Sequence, residues 1–187
     1  MTLLDIIKAA LVDLDRGTDA STIAMYTEKF TVYANEACRE IANRFKVCRE
    51  EEVTLDDTGS FSVVALTRDC SRITRVRDTA KLYDYYQPVH GGETVTVRDA
   101  AADASVLVEY RFVPMPMKEL DDTPDLPSYQ HTLIPLYVRA REQCGQDPNT
   151  QGTASAFFSL FNARITDLER EARAMPDSFK LDHYHFD

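Results

Sequence analysis

The chain has 187 residues, 44% of them apolar and 28% charged, with 31 acidic against 21 basic side chains and a net charge of −10. That is enough apolar material for one packed domain, or a compact core with one elaborated insertion, so wholesale disorder is excluded. A surface this acidic repels phosphate, which argues against a conventional DNA- or RNA-binding module.

The longest apolar runs are only a few residues, so no segment is expected to span a membrane. The start MTLLDIIKAALVDLD carries acids within its apolar part and has no small-residue cleavage site, unlike a signal peptide. Cys38, Cys48, Cys70 and Cys144 are scattered, form no CxxC and have no histidine at ligand spacing. They read as buried, reduced thiols of a protein made in a cytoplasm.

Leu3, Ile7, Ala10, Leu11 and Leu14 form an apolar stripe at helical spacing, which predicts an amphipathic helix over 2–15. Gly17 breaks it, and Thr18-Asp19-Ala20-Ser21 supplies N-capping side chains. Ile23, Tyr26, Phe30, Tyr33, Ala37, Ile41 and Phe45 then recur at steps of three and four. They predict a helix to about Val47, roughly 37 Å long at 1.5 Å per residue. That is more than one small core needs, so it is expected to serve as a spine.

From about Glu52 to Val113 the period changes to two. Strands are predicted at 61–66, after the turn Asp56-Asp57-Thr58-Gly59, at 72–77, where Ile73 marks one face, and at 81–86, which is rich in aromatics. Gly91-Gly92 predicts a hairpin into 93–97 in which both glycines can take positive φ. Val106, Val108, Tyr110 and Phe112 line one face of a longer final strand. The expectation is a meander of about five strands.

Pro114-Met115-Pro116 ends the sheet. After an acidic loop, Leu126-Pro127 is read as a helix start, with Asp122 and Asp125 near its positive end and a stripe of Tyr129, Leu133, Leu136, Tyr137 and Ala140. Pro135 predicts a kink or a tight first turn. Residues 145–150 form a connector. A last helix runs over about 152–175 with the seam Phe157, Phe161, Ile165, Leu168 and Ala172, supported by a Glu169–Arg173 pair. Pro176 stops it, and residues 177–187 have no period. The fold class is thus α+β. A helical core (1–50 and 114–176), made of the long N-terminal helix and a C-terminal helix pair, carries an inserted antiparallel sheet or barrel (51–113) and a tail (177–187).

No motif places a nucleophile beside a base, and no phosphate-cradling loop, HExxH or EF-hand pattern occurs. Asp121, Asp122 and Asp125 lack the glycine and bidentate Glu of a calcium loop and read as a capping loop. His131 reads as a core or polar-face histidine. His183-Tyr184-His185 specifies no metal. The tail nevertheless carries Phe179, Leu181, Tyr184 and Phe186, a large apolar area for a chain end and a common docking device. Tyr83, Tyr85 and Tyr86 read as sheet core or a protein-facing surface, since too few cations accompany them for single-stranded nucleic acid. No catalytic residue, cofactor or metal is expected.

Two stretches carry a family resemblance: Leu126-Pro127-Ser128-Tyr129-Gln130-His131-Thr132-Leu133, and the helix segment Tyr33-Ala34-Asn35-Glu36-Ala37-Cys38-Arg39-Glu40-Ile41-Ala42. With the order long helix, strand-rich excursion, acidic loop, Leu-Pro helix and last helix, the chain resembles the head–tail connector (adaptor) proteins of tailed bacteriophages. The size of the sheet excursion and Pro135 depart from the pattern. The resemblance implies a structural subunit in the virion neck, about a dozen copies forming a closed ring beneath the portal protein. It implies that the tail, with Phe179, Leu181, His183, Tyr184, His185 and Phe186, reaches the portal. A downstream tail or neck protein would be a further partner, and DNA would pass through the lumen without specific binding. Other neck or tail rings, such as head-completion or tail-terminator proteins, and a monomeric ligand-binding protein are the competing readings.

Overall fold

The computed structural model describes residues 1–79, 85–144 and 151–174, for 151–154 and 172–174 the backbone alone. Among them are four α-helices and six strands, an α+β fold. The chain divides into two compact units, one of residues 1–45 with those described from Pro114 on, the other spanning Lys46–Val113.

In the first unit, α1 (Leu3–Asp13) opens with a capping box in which the Thr2 hydroxyl accepts from the Asp5 amide while Asp5 accepts from the Thr2 amide. Its stripe buries Leu3, Ile6, Ile7, Ala10 and Leu11. The spine helix α2 (Ala20–Phe45) is 26 residues long. Asp19 caps it, its carboxylate accepting from the amides of Ser21 and Thr22. Burial begins only at Phe30 and continues through Ala34, Ala37, Cys38, Ile41 and Ala42. Of the four cysteines, all free, only Cys38 is buried. Burial pushes its thiol up to about 12, which leaves it inert.

The helix expected to open at Leu126-Pro127 begins later. Pro127 precedes a 3₁₀ turn (Ser128–Gln130), and α3 runs Leu133–Cys144. Pro135 therefore sits in the first turn of α3, where its missing N–H costs nothing, and the tight-turn alternative holds. The buried face is also rotated from the expected stripe. Leu133, Ile134, Pro135, Val138 and Ala140 are buried, whereas Tyr129 is exposed, its ring meeting Phe45 edge-on at 6.4 Å. α3 packs on α1, α2 and α4. The last helix, α4 (Gln151–Ala174), buries Phe161, Ile165 and Leu168, and Tyr137 packs edge-on against Phe158 and Phe161. The predicted connector 145–150 and the tail 177–187 lie outside the described residues, as does the Arg173 side chain of the predicted ion pair.

In the second unit, the six strands are β1 (Cys48–Thr54), β2 (Ser60–Ser62), β3 (Cys70–Asp78), β4 (Tyr85–Gly91), β5 (Thr94–Arg98) and β6 (Ser105–Phe112). They form one antiparallel sheet in the order β1-β6-β3-β4-β5-β2, not a meander, because first and last strands pair over seven residues. The predicted strand 61–66 is only three residues long. At Val63 the chain turns into a 3₁₀ helix, the Ser62 hydroxyl accepting from the Val64 amide. The predicted strand 81–86 lies mostly outside the described residues, and β4 continues instead through the expected turn to Gly91. The hairpin loop is Gly92-Glu93, with only Gly92 at positive φ (75°), the pattern of a type II′ turn. Strand β3 does not alternate cleanly. Two register shifts against β6 bring both Ile73 and Val76 to the buried face, three residues apart. In β6 the expected face of Val106, Val108, Tyr110 and Phe112 is buried. Asp56 builds the turn before β2 by accepting from the amides of Thr58 and Ser60, with Gly59 at φ 71°.

Candidate interaction surface

The sequence-predicted docking residues Phe179, Leu181, His183, Tyr184, His185 and Phe186, and Tyr83 of the aromatic strand, lie outside the described residues. The other two tyrosines of that strand take opposite faces of β4. Tyr86 pairs with buried Val76 and donates its hydroxyl to Asp78 at 2.9 Å. Tyr85 pairs with Arg77, is 57% exposed, and lies 6.0 Å from the Arg75 guanidinium. Only Tyr85 of the two is available to a partner.

Around Tyr85 the solvent face of the sheet is charged in stripes. Glu50 and Glu109 lie opposite one another on β1 and β6, and Arg75 lies opposite Glu109 on β3. Arg77 bridges to Glu50, its Nε–H bond being 2.7 Å, and Arg75 reaches Glu109 at 3.8 Å. Beyond β3, Gln87 faces Arg98 and Val89 faces Thr96. The signal for this face was present in the alternating arginines of RITRVR, which sequence reasoning used only to place a strand.

The other side of the sheet fixes a loop. Tyr110, fully buried, donates its hydroxyl to Glu51 Oε2 at 2.9 Å, and the same carboxylate accepts from the Thr67 amide. Burial pushes Glu51 up, but the bonds from Thr67 and Tyr110 outweigh it and hold the carboxyl below its ordinary range.

The acidic loop is not a helix cap. Asp122 accepts from the amides of Lys118 and Glu119 at 2.6 and 2.8 Å, which holds its carboxyl below the usual range, and Asp125 accepts from the Met115 amide. Asn35 of α2 clamps the start of this loop, accepting from the Met117 amide and donating to its carbonyl. Backbone bonds from Leu3 to Asp122 and from Leu4 to Leu120 complete the anchoring. Lys118, Glu119, Leu120 (39% exposed), Asp121 and Thr123 remain outward. Among the described residues, no group of acids, histidines and cysteines could hold a metal ion.

Sequence reasoning missed a buried ionic cluster. Glu142 on α3 is 1% exposed, with Lys29 Nζ at 2.6 Å and Arg16 at 3.4 Å. Arg16 also lies over the Tyr26 ring at 4.6 Å and Arg141 over the Tyr33 ring at 5.3 Å while pairing with Glu36. In sequence Glu142 looks like any solvated helix charge; only tertiary packing buries it.

His131 is buried, its Nε2 bonded to the Leu126 carbonyl at 2.8 Å. Desolvation lowers its imidazole below the ordinary 6.5, which the carbonyl partly offsets. The unfolded chain thus binds this proton more readily than the native one, so the stability due to neutral His131 is present above pH 6.5 and is lost as pH falls below it. Asp5, Asp56 and Asp122 are lowered from 3.8, so their contributions are lost only in more acid solution. Melting temperature should therefore already fall between pH 7 and pH 5, and His131→Gln should flatten that slope. An unchanged slope in the variant would remove His131 as the cause.

A model of the SU10 adaptor protein family matches residues 1–179. The chain belongs to the SU10 adaptor protein family. It is thus a bacteriophage head–tail adaptor, the class to which the helix order and the Leu126-Pro127 stretch pointed. The match spans both units of this SU10 adaptor, the sheet excursion included. No curated protein matches the chain. Among the described residues, no helix of this adaptor is long and apolar enough to cross a membrane.

Proposed function

We propose that this adaptor is a structural subunit of a closed ring beneath the phage portal, joining capsid to tail and surrounding the DNA path. The observation that carries the reading is the family match over residues 1–179. The long α2 and the α3–α4 pair supply the helical body on which neighbouring copies pack, in a heterologous arrangement that closes. Residues 1–50 and 114–176 serve as this core, residues 51–113 as a module facing the neighbouring copy or the next neck component, and residues 177–187 as the portal-docking tail. The net charge of −10 suits a lumen through which DNA slides without adhering. Phe179, Leu181, Tyr184 and Phe186 offer apolar anchors to the portal, with His183 and His185 between them.

A chain truncated after Met175 should keep its helical circular dichroism and melting temperature and lose binding to purified portal. Equal binding by the truncated chain would overturn the tail assignment.

A further inference from the structure

We propose that the solvent face of β3, β4 and β5 docks the Glu119–Leu120–Asp121 turn of a neighbouring copy, making a basic-to-acidic contact around the ring. This deepens the ring reading and rests on it.

Outward positions of these strands hold Arg72, Arg75, Arg77 and Arg98, together with Tyr85 and Val89, and no acid among the described residues. In a chain of net charge −10 that is a local concentration of the opposite sign. Arg77 is taken up by Glu50, but the Arg75 side chain is 64% exposed at the end of a long 3.8 Å pair. Arg72 and Arg98 are exposed and have no ion pair among the described residues. Tyr85, 57% exposed, and Val89, 39% exposed, sit among these cations, so the surface offers apolar contact with an arginine rim. Aromatic and arginine side chains are the residue types that anchor protein interfaces.

The occupant follows from the same chemistry. Leu120 is an exposed apolar residue between two exposed acids, with exposed Lys118 before them, so the turn tip is net acidic and complements an aromatic flanked by arginines. Its turn is already rigid, held by the Asp122 carboxylate and by backbone bonds from Leu3 and Leu4, so docking it costs little ordering entropy. A nucleic acid fits the face less well. A polyanion lying across the sheet meets Glu50, Glu52 and Glu109 on the adjoining strands, whereas a turn of two acids placed over Arg75 and Arg98 has Glu109 alone beside it. Two different surfaces of one chain meeting in this way form a heterologous contact, which closes into a ring or propagates.

The test uses the full chain, alone and with purified portal, followed by sedimentation and negative-stain imaging. Wild type should assemble, and assembly should weaken as salt is raised. Arg75→Glu/Arg98→Glu and, separately, Glu119→Arg/Asp121→Arg should each weaken assembly by at least about tenfold, since each sets like charges against one another. Mixed in equal amounts, the two reversed chains should assemble again, because each presents the complement of the other at both contacts. All four residues are at the surface, and circular dichroism checks that the variants fold. Assembly unchanged by both reversals, or loss without recovery in the mixture, overturns this contact and leaves the ring reading standing. A wild-type chain that stays monomeric alone and on portal overturns both.

Discussion

Lys29→Met is expected to lower the stability of the helical unit by about 2–4 kcal/mol, although Lys29 itself is nearly half exposed. The reason lies in its partner. Glu142 is 1% exposed on α3, so removing the ammonium 2.6 Å away takes the shorter of its two cation contacts from a buried carboxylate and leaves Arg16 at 3.4 Å. Glu142→Gln should cost less. It leaves two cations that are 47% and 23% exposed, and both can rehydrate. Replacing Arg16, Lys29 and Glu142 together with apolar residues of similar volume should recover much of the loss, as buried ionic clusters are weak net contributors. Urea unfolding followed by far-ultraviolet circular dichroism reads this order. Glu142→Gln proving costlier than Lys29→Met would refute the asymmetry.

Phe30→Ala should be the most damaging single truncation of the spine, costing about 3–5 kcal/mol. Phe30 is the first buried residue of α2, fully enclosed, with the rings of Tyr26 and Tyr33 at 5.1 and 6.4 Å. The ten helical residues before it bury nothing fully, so Phe30 is the first full apolar anchor of α2, beside the Lys29–Glu142 pair. A large drop in urea midpoint with an unchanged slope would place the effect on the folded core. A loss below about 1 kcal/mol would show that the cavity collapses or that Phe30 is not enclosed in solution. Met25→Ala, at a position 74% exposed on the same helix, should by contrast leave the midpoint unchanged within about 0.5 kcal/mol.

How far the sequence was readable depended on whether local chemistry or long-range pairing decided a feature. Periodicity located α1, α2 and α4 to within about three residues, because each shows an apolar stripe with its own capping or stop residues. The inward face of β6 was equally plain. Strand β1 was missed because CREEEVT is a charged edge strand paired on one side only, and its partner lies some sixty residues away. The bulges of β3 were likewise hidden, since they are set by the strand alongside, and β2 ends early where the Ser62 hydroxyl caps a 3₁₀ turn. The start of α3 was misplaced because Leu-Pro signals a turn as readily as a helix, and here a 3₁₀ turn intervenes. On the candidate surface, the tyrosines were recognised but not their division between two faces, which follows from register. The rotated face of α3, and with it Glu142, could not be found from spacing alone.

Imaging of the full chain mixed with purified portal decides whether this SU10 adaptor assembles as a ring there. The expected image is a ring of copies seated on one end of the portal, formed from chains that remain smaller without it or assemble alone at higher concentration. A chain that stays monomeric and unattached in the presence of portal at every concentration would contradict it.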